Sequence, residues 1–240
     1  ESELMRDCRG KDIHVKGCAE LPQQRRNPGC FDYRLYLKSC GIINIIRADS
    51  VYVEEKTAVR YLVITGRIRD EFEKKLLDSC ASDKAGLIMG ILFGDKSLID
   101  EELYNDFQRN GTAHVLAVSG LHTGILYAFF IMLWRGKKGA GFYAAVGTLL
   151  LFYMALADFS PSVVRASLMI MLHITAMVLH CRYDLLSAAG ITFIFMLIIN
   201  PYQLFHTGFQ MSFLAIVSLG IIIPFVKYFY QGMFLPAIAI

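Results

Sequence analysis

Residues 113–125, AHVLAVSGLHTGI, set two histidines and a serine among small and apolar neighbours. Three chemistries are open to His114, Ser119 and His122. The first is metal binding. On a straight helix the two histidines stand eight residues, or about 12 Å, apart, whereas zinc holds its nitrogens at about 2.0–2.1 Å. Only a break at Ser119-Gly120 could bring both to one ion, as in helices whose unwound backbone lines a transport cavity. The second is nucleophilic catalysis. Ser119 and His122 are three apart and share a helical face. With Asp95 they supply the residue types of a hydrolase triad, although no Gly-x-Ser-x-Gly elbow is present. The third is helix packing around a polar path. Ala117, Ser119, Gly120 and Gly124 let helices approach closely, and Ser or His side chains join them at about 0.6 kcal/mol per bond. Polar groups in a membrane face the bundle interior or a wet cavity. The expectation is therefore that His114, Ser119, His122, Arg165 and Gln210 line or brace a conduit, with no catalytic residue, metal or cofactor among them.

Arg165 is the sharpest of these. It follows Pro161 by four residues in an otherwise apolar run. It either snorkels to the interface or holds phosphate oxygens through two guanidinium bonds. Asp95 follows Gly94 in a turn and either caps the next segment or pairs with Arg165 or a protonated histidine. His173 reads as a packing residue. Gln210 is expected to point inward from a re-entry turn at residues 200–210. Trp134 and nearby tyrosines fit an interfacial belt.

The elements that must carry these groups follow from composition. The chain has 240 residues, is 55% hydrophobic and has a net charge of +3. Soluble domains average about 45–50% apolar residues. Residues 1–111 hold 18 Lys+Arg and 19 Asp+Glu, and residues 112–240 hold 6 and 2. A polar front is joined to a membrane-grade back, and neither is basic enough to argue nucleic-acid binding from charge alone. A spanning helix needs about 20 apolar residues. Residues 112–133, 139–157, 161–180, 185–200 and 207–226 qualify by composition, with a sixth beginning at residue 232. Arg135, Lys137, Lys138, Arg182 and Lys227 fall in alternate loops, and the loops around Asp158 and Tyr202 carry no cation. The positive-inside rule makes the cationic side cytoplasmic and puts residues 1–111 outside.

Disulfides are permitted there. Cys8, Cys18, Cys30 and Cys40 are the candidates, with Cys80 further along, and the pairing stays open. Residues 11–16, 42–47 and 50–53 look like strands, and 31–37 alternates in the same way after an Asn-Pro-Gly turn, so a small β module is expected. Residues 60–77 carry apolar side chains at helical spacing. That helix either lies in the membrane interface or packs on its own domain. Residues 83–93 form a second helix ending at Gly94. Asp100 caps a third over 101–109, which stops at Asn110-Gly111. The chain opens on Glu1 with no leader pattern and stops within GMFLPAIAI, and is read as part of a longer protein.

GILFGDKSLID, AHVLAVSGLHTG, PSVVRASLM and NPYQLFHTGFQMSFLA, in that order and spacing, resemble the competence domain of ComEC-type DNA-uptake proteins. NPGCFDYRLYLKSCGI resembles the segment closing the family's extracellular OB-like module. The resemblance implies a mostly α, polytopic helical bundle preceded by a β-rich module. It divides the chain into 1–58 (partial OB-like module), 59–111 (amphipathic helices) and 112–240 (transmembrane domain). It implies an inner-membrane channel through which one DNA strand enters during transformation. Single-stranded DNA, the bilayer and other competence proteins are the implied partners, and self-association stays open. The His-x-His-x-Asp-His motif of the family's nuclease-like domain is absent from these residues, so no nuclease chemistry is carried over. The competing readings are a membrane hydrolase using Ser119 and His122, and a non-catalytic scaffold.

Overall fold

The computed structural model of the chain describes residues 11–25, 27, 29–57, 60–116, 118–134 and 139–234, with the side chains of 55–57, 60, 114, 115, 227 and 229–234 outside the description. The fold is mostly helical: among the described residues, nine α-helices accompany one two-stranded sheet. Strands β1 (Lys11–Glu20) and β2 (Ile45–Thr57) form that sheet. His14 Nε2 pairs with Glu54 at 3.5 Å and Glu20 with Arg47 at 3.7 Å, an opposite order along the two strands that makes them antiparallel. Gly17 stands where the Arg47 carbonyl leaves no room for a side chain.

One local expectation is corrected. Residues 31–37 alternate like a strand, yet Tyr33–Ser39 is a helix, α1. Its ends decide this. Asp32 caps the start, its Oδ1 accepting from Leu35 N at 3.0 Å. Gly41, at φ +83, closes the other end as Ile42 N donates to Leu37 O at 2.8 Å and Gly41 N to Lys38 O at 3.0 Å. A cap at each end satisfies the orphan backbone groups that an alternating pattern says nothing about.

Helices α2 (Arg60–Ser79), α3 (Ser82–Phe93) and α4 (Glu101–Arg109) follow, close to their expected bounds. Gly94 ends α3 in the left-handed region, and Asp100 starts α4 by accepting from Glu101 N at 2.8 Å. The inward stripe of α2 is polar: Thr65, Arg69 and Glu73, spaced by four, are buried, whereas Tyr61, Ile64 and Ile68 face outward. Its apolar stripe is partly covered within its own unit, where Phe72 meets Phe93 and Tyr61 meets Phe159 edge-on, while Ile64 and Ile68 stay exposed.

The apolar back contains a 3-10 turn (Ala113–Leu116), α5 (Gly120–Leu133), α6 (Ala140–Leu156), α7 (Pro161–Val178), α8 (Leu185–Ile199), a second 3-10 turn (Pro201–Phe205) and α9 (Thr207–Phe234). Among the described residues two helices are long and apolar enough to cross a membrane, Pro161–Val178 and Thr207–Val226; α5, α6 and α8 are shorter apolar helices. The run 112–133 is not one helix, because it is broken before Gly120. Nor does α9 stop near Lys227: it continues through Pro224 to Phe234.

The chain divides into two compact units, the first Glu1–Glu20 with Ile46–Ser167, the second Leu21–Ile45 with Leu168–Ile240. Val118, Tyr153, Met154, Ala157 and Val163 form a core in the first. Ala189, Met196, Phe209 and Phe213 form one in the second, with Phe193, Phe209 and Phe213 in mutual ring contact.

Candidate functional site

Ser119 is the hinge of the break. Its backbone is extended (φ −114, ψ 162) and it stands at the N-cap of α5. His122, three residues on, folds back so that its Nδ1 accepts from Ser119 N–H at 3.1 Å. The imidazole thus occupies the place that Glu or Gln takes in a capping box. Ser119 Oγ is 3.3 Å from the same Nδ1. An Nδ1 that accepts from the backbone leaves the neutral ring's proton on Nε2. Ser119 and His122 are therefore a helix start and its cap rather than neighbours along one regular helix. His114 belongs to the preceding 3-10 turn, and its side chain lies outside the described residues.

Small residues knit the break to two other motifs. A Cβ built on Gly94 would lie 3.1 Å from Val118 Cγ2, and one on Gly120 would lie 3.3 Å from Ala166 Cβ. Val118 also packs with Val163 of α7. Asp95 is next to Gly94, Ser119 next to Val118, and Arg165 next to Ala166, so the structure brings these three motifs to one knot in the first unit. Tyr153 of α6 ties in α3, its hydroxyl donating to Leu92 O at 3.3 Å. Asp95 caps the turn after α3, its Oδ1 accepting from Ser97 N at 3.0 Å.

Arg165 is 5% exposed, and its Nη2 reaches Ser162 Oγ at 3.5 Å. Thr148 and Thr175 are exposed and, like the buried Thr65, donate to the carbonyl four residues back along their own helices. Two hydroxyls of the first unit that the sequence reading missed do not. Thr123 of α5 and Ser167 of α7 are fully buried and make no hydrogen bond among the described residues. A hydroxyl buried without a partner is costly, so these two mark polar space within an apolar bundle. Sequence offered one signal for them: each lies within two residues of a group already singled out, Thr123 beside His122 and Ser167 after Arg165.

Arg69 was also missed. Buried on α2, it donates through Nη1 to Asp158 Oδ2 at 2.6 Å and through Nη2 to Leu156 O. It lies 6.0 Å from the centroid of Phe93. Asp158 and Phe159 adopt positive φ to make this turn.

Gln210 belongs to the second unit. It is exposed, and its Nε2 donates to Leu204 O at 2.8 Å, bracing the turn Pro201–Phe205. Asn200 caps that turn through Tyr202 N at 3.0 Å, and its Nδ2 donates to Lys38 O at 3.0 Å and Ser39 O at 3.2 Å of α1. The Tyr36 ring stacks on His206 at 5.9 Å. His173 meets Tyr183 edge-on at 4.8 Å. Cys18, Cys30 and Cys40 are free exposed thiols, and Cys8 lies outside the described residues. Among the described residues no three His, Cys, Asp or Glu side chains gather where they could hold a metal.

Comparison with known proteins adds the following. The family described as Competence protein matches residues 91–235. ComE operon protein 3 of Bacillus subtilis is 33% identical over 217 residues, which is 88% of this chain and 27% of that protein. An uncharacterized protein of Aquifex aeolicus is 30% identical over 161 residues, 65% of this chain and 38% of that one. Recombination protein 2 of Haemophilus influenzae is 26% identical over 101 residues, 42% of this chain and 12% of that one. The chain thus spans well under half the length of these relatives. No solved structure matches it.

Proposed function

The chain belongs to the competence protein family, and on that premise we propose that it is the membrane part of a conduit for single-stranded DNA taken up during transformation. The observation that carries the reading is the buried guanidinium of Arg165 beside a broken helix start at Ser119-Gly120. An ionisable group inside an apolar bundle belongs in a polar path, and a guanidinium suits the phosphates of a polyanion. In this reading Asp95, His122, Thr123 and Ser167 belong to the polar wall around it, and His114 and Gln210 stay lining candidates. Selection is by charge and backbone rather than by sequence.

Topology follows the cations. Residues 1–111 lie outside, as a partial OB-like module (1–58) and helices (59–111), and residues 112–240 cross the cytoplasmic membrane repeatedly. Two independent contacts favour this. The polar front meets the back at Arg69–Asp158 in one unit and at Lys38 and Ser39 with Asn200 in the other. Both partners sit in the cation-free loops. The outward Tyr61, Ile64 and Ile68 of α2 suit the outer lipid interface. Other competence proteins, and a second copy of this chain, are further partners in this reading.

One contact weighs against the hydrolase alternative. His122 Nδ1, the nitrogen nearest Ser119 Oγ, already accepts from backbone N–H. The test is uptake of a labelled strand by transformable cells carrying the full-length protein with Arg165→Ala. Import falls at least tenfold at unchanged membrane abundance, and Arg165→Lys recovers part of it. Normal import in Arg165→Ala cells would sink the assignment.

A further inference from the structure

The ends of α1, α3 and α4 use glycine to enter the left-handed region, with Gly41, Gly94 and Gly111 at φ +83, +77 and +67. Between α6 and α7 the residues that do so carry side chains: Asp158 and Phe159 adopt φ +47 and +51. Left-handed backbone is costly for such residues, and it persists where the surroundings over-determine it. Here α2 grips both. Arg69, 3% exposed, donates to Asp158 and to the carbonyl of Leu156, the last residue of α6. Tyr61, about two turns earlier on α2, meets Phe159 edge-on at 6.3 Å. Phe93 of α3 lies 6.0 Å from the guanidinium. The turn itself is tight: Phe159 N donates to Met154 O at 2.8 Å, Ser160 N donates to Ala157 O at 2.9 Å, and α7 starts at Pro161.

We propose that Arg69 is a positioning residue: by holding Asp158 it sets the register of α7 against α5, and so places the Arg165 guanidinium in the conduit. The inference rests on the uptake reading. Arg165 lies about one turn into α7, so a displacement of the turn at Asp158 is carried to it along the helix. The same displacement parts Gly120 from Ala166, where a Cβ on the glycine would stand 3.3 Å from Ala166 Cβ. Arg69 does not meet the strand itself, because it is buried and its Nη1 and Nη2 are both engaged. Asp158 is the accessible end of the pair, with its side chain 66% exposed. The rival is a pair that only adds stability. Losing such a pair lowers abundance without moving α7, so the test reads register directly.

The experiment uses the full-length protein in cell membranes, with its native cysteines changed to serine and with Gly120→Cys and Ala166→Cys introduced as a pair. A disulfide needs Cβ atoms about 3.5–4.5 Å apart, so the pair crosslinks on mild oxidation while α7 holds its register. Asp158→Gly keeps the left-handed backbone and removes the carboxylate. It slows crosslinking about tenfold at normal abundance, because small misplacements of reacting groups cost much in rate. Asp158→Asn keeps an acceptor oxygen, tolerates the same backbone and restores the rate. In transformable cells with the otherwise native protein, import of a labelled strand follows the same order, and Asp158→Gly adds no further loss to Arg165→Ala. No crosslink in the parent pair, equal rates in parent and Asp158→Gly, or an additive loss in the double variant overturns the positioning role. If crosslinking is unmoved while Arg165→Ala blocks import, the conduit reading stands without it. If crosslinking slows while Arg165→Ala imports normally, Arg69 still sets the register of α7 and the conduit assignment falls.

Discussion

His122 Nδ1 and the backbone nitrogen of Ser119 are 3.1 Å apart, and that one hydrogen bond starts a helix inside an apolar segment. An orphan backbone donor in lipid is costly. The bond satisfies the Ser119 N–H with a side chain where no carbonyl stands in line. A titratable residue thus sits at the start of an apolar helix for the sake of the backbone.

Substitution here separates cap from catalyst. His122→Ala lowers stability by about 1 kcal/mol, the usual worth of a lost cap, and import falls with it. His122→Gln restores both, because an amide oxygen accepts from the same N–H. Ser119→Ala keeps most import. Abolished import in Ser119→Ala at normal abundance would revive the hydrolase. Thermal unfolding in detergent and strand uptake read the two effects.

Two glycines hold the knot. Gly94→Ala meets both a positive φ of +77 and the Val118 methyl. Left-handed backbone alone costs a non-glycine residue about 1–2 kcal/mol. Gly120→Ala is nearly tolerated, since Ala166 need give only a few tenths of an ångström, but Gly120→Leu overpacks by about 1–3 kcal/mol. Unfolding midpoints should fall in the order wild type, Gly120→Ala, then the other two. An unmoved Gly120→Leu midpoint would show that α5 and α7 do not touch there.

Arg69 and Asp158 form a pair with one buried and one exposed end. Asp158→Ala removes a hydrogen bond between charged groups, worth about 2 kcal/mol, and leaves the Leu156 carbonyl as the guanidinium's partner. Arg69→Met with Asp158→Ala should destabilise by clearly less than the sum of the single changes. Full additivity would mean that the two side chains do not interact.

Acid should loosen the start of α8. Asp184 accepts from Ser187 Oγ at 2.6 Å and from Ser187 N at 2.8 Å. These bonds from Ser187, hydroxyl first and backbone second, hold its carboxyl below the usual range. A depressed folded value means that the stabilisation is present above the unfolded carboxylate range and is lost as pH falls through the folded value. The unfolding midpoint of Asp184→Asn should therefore vary less than wild type between pH 6 and pH 3, taken as roughly the carboxylate titration range. Parallel pH profiles would rule out the cap as the source.

Native thiols test the topology. An impermeant maleimide added to intact cells should label Cys18 and Cys30 and reach Cys181 only after permeabilisation. Labelling of Cys181 from outside would invert the orientation proposed here.

Composition was enough to divide the chain into polar and apolar stretches, because charge density changes sharply near residue 111 and hydropathy is a property of a local run of residues. The caps at Asp100 and Gly94 were legible for the same reason: each acts on its own backbone within a few residues. What lay beyond reach was whatever depends on a partner distant in sequence or on which of two local patterns wins. The strand-like alternation at 31–37 gave way to a doubly capped helix. The polar side of α2 turned inward because Arg69 finds Asp158 almost ninety residues away. The meeting of the motifs that carry Asp95, Ser119 and Arg165 rests on close approaches at Gly94 and Gly120, which no periodicity encodes. Local hydropathy and capping chemistry are written in the chain itself; which small residues touch, and therefore which polar groups share one interior, is decided only when the helices pack.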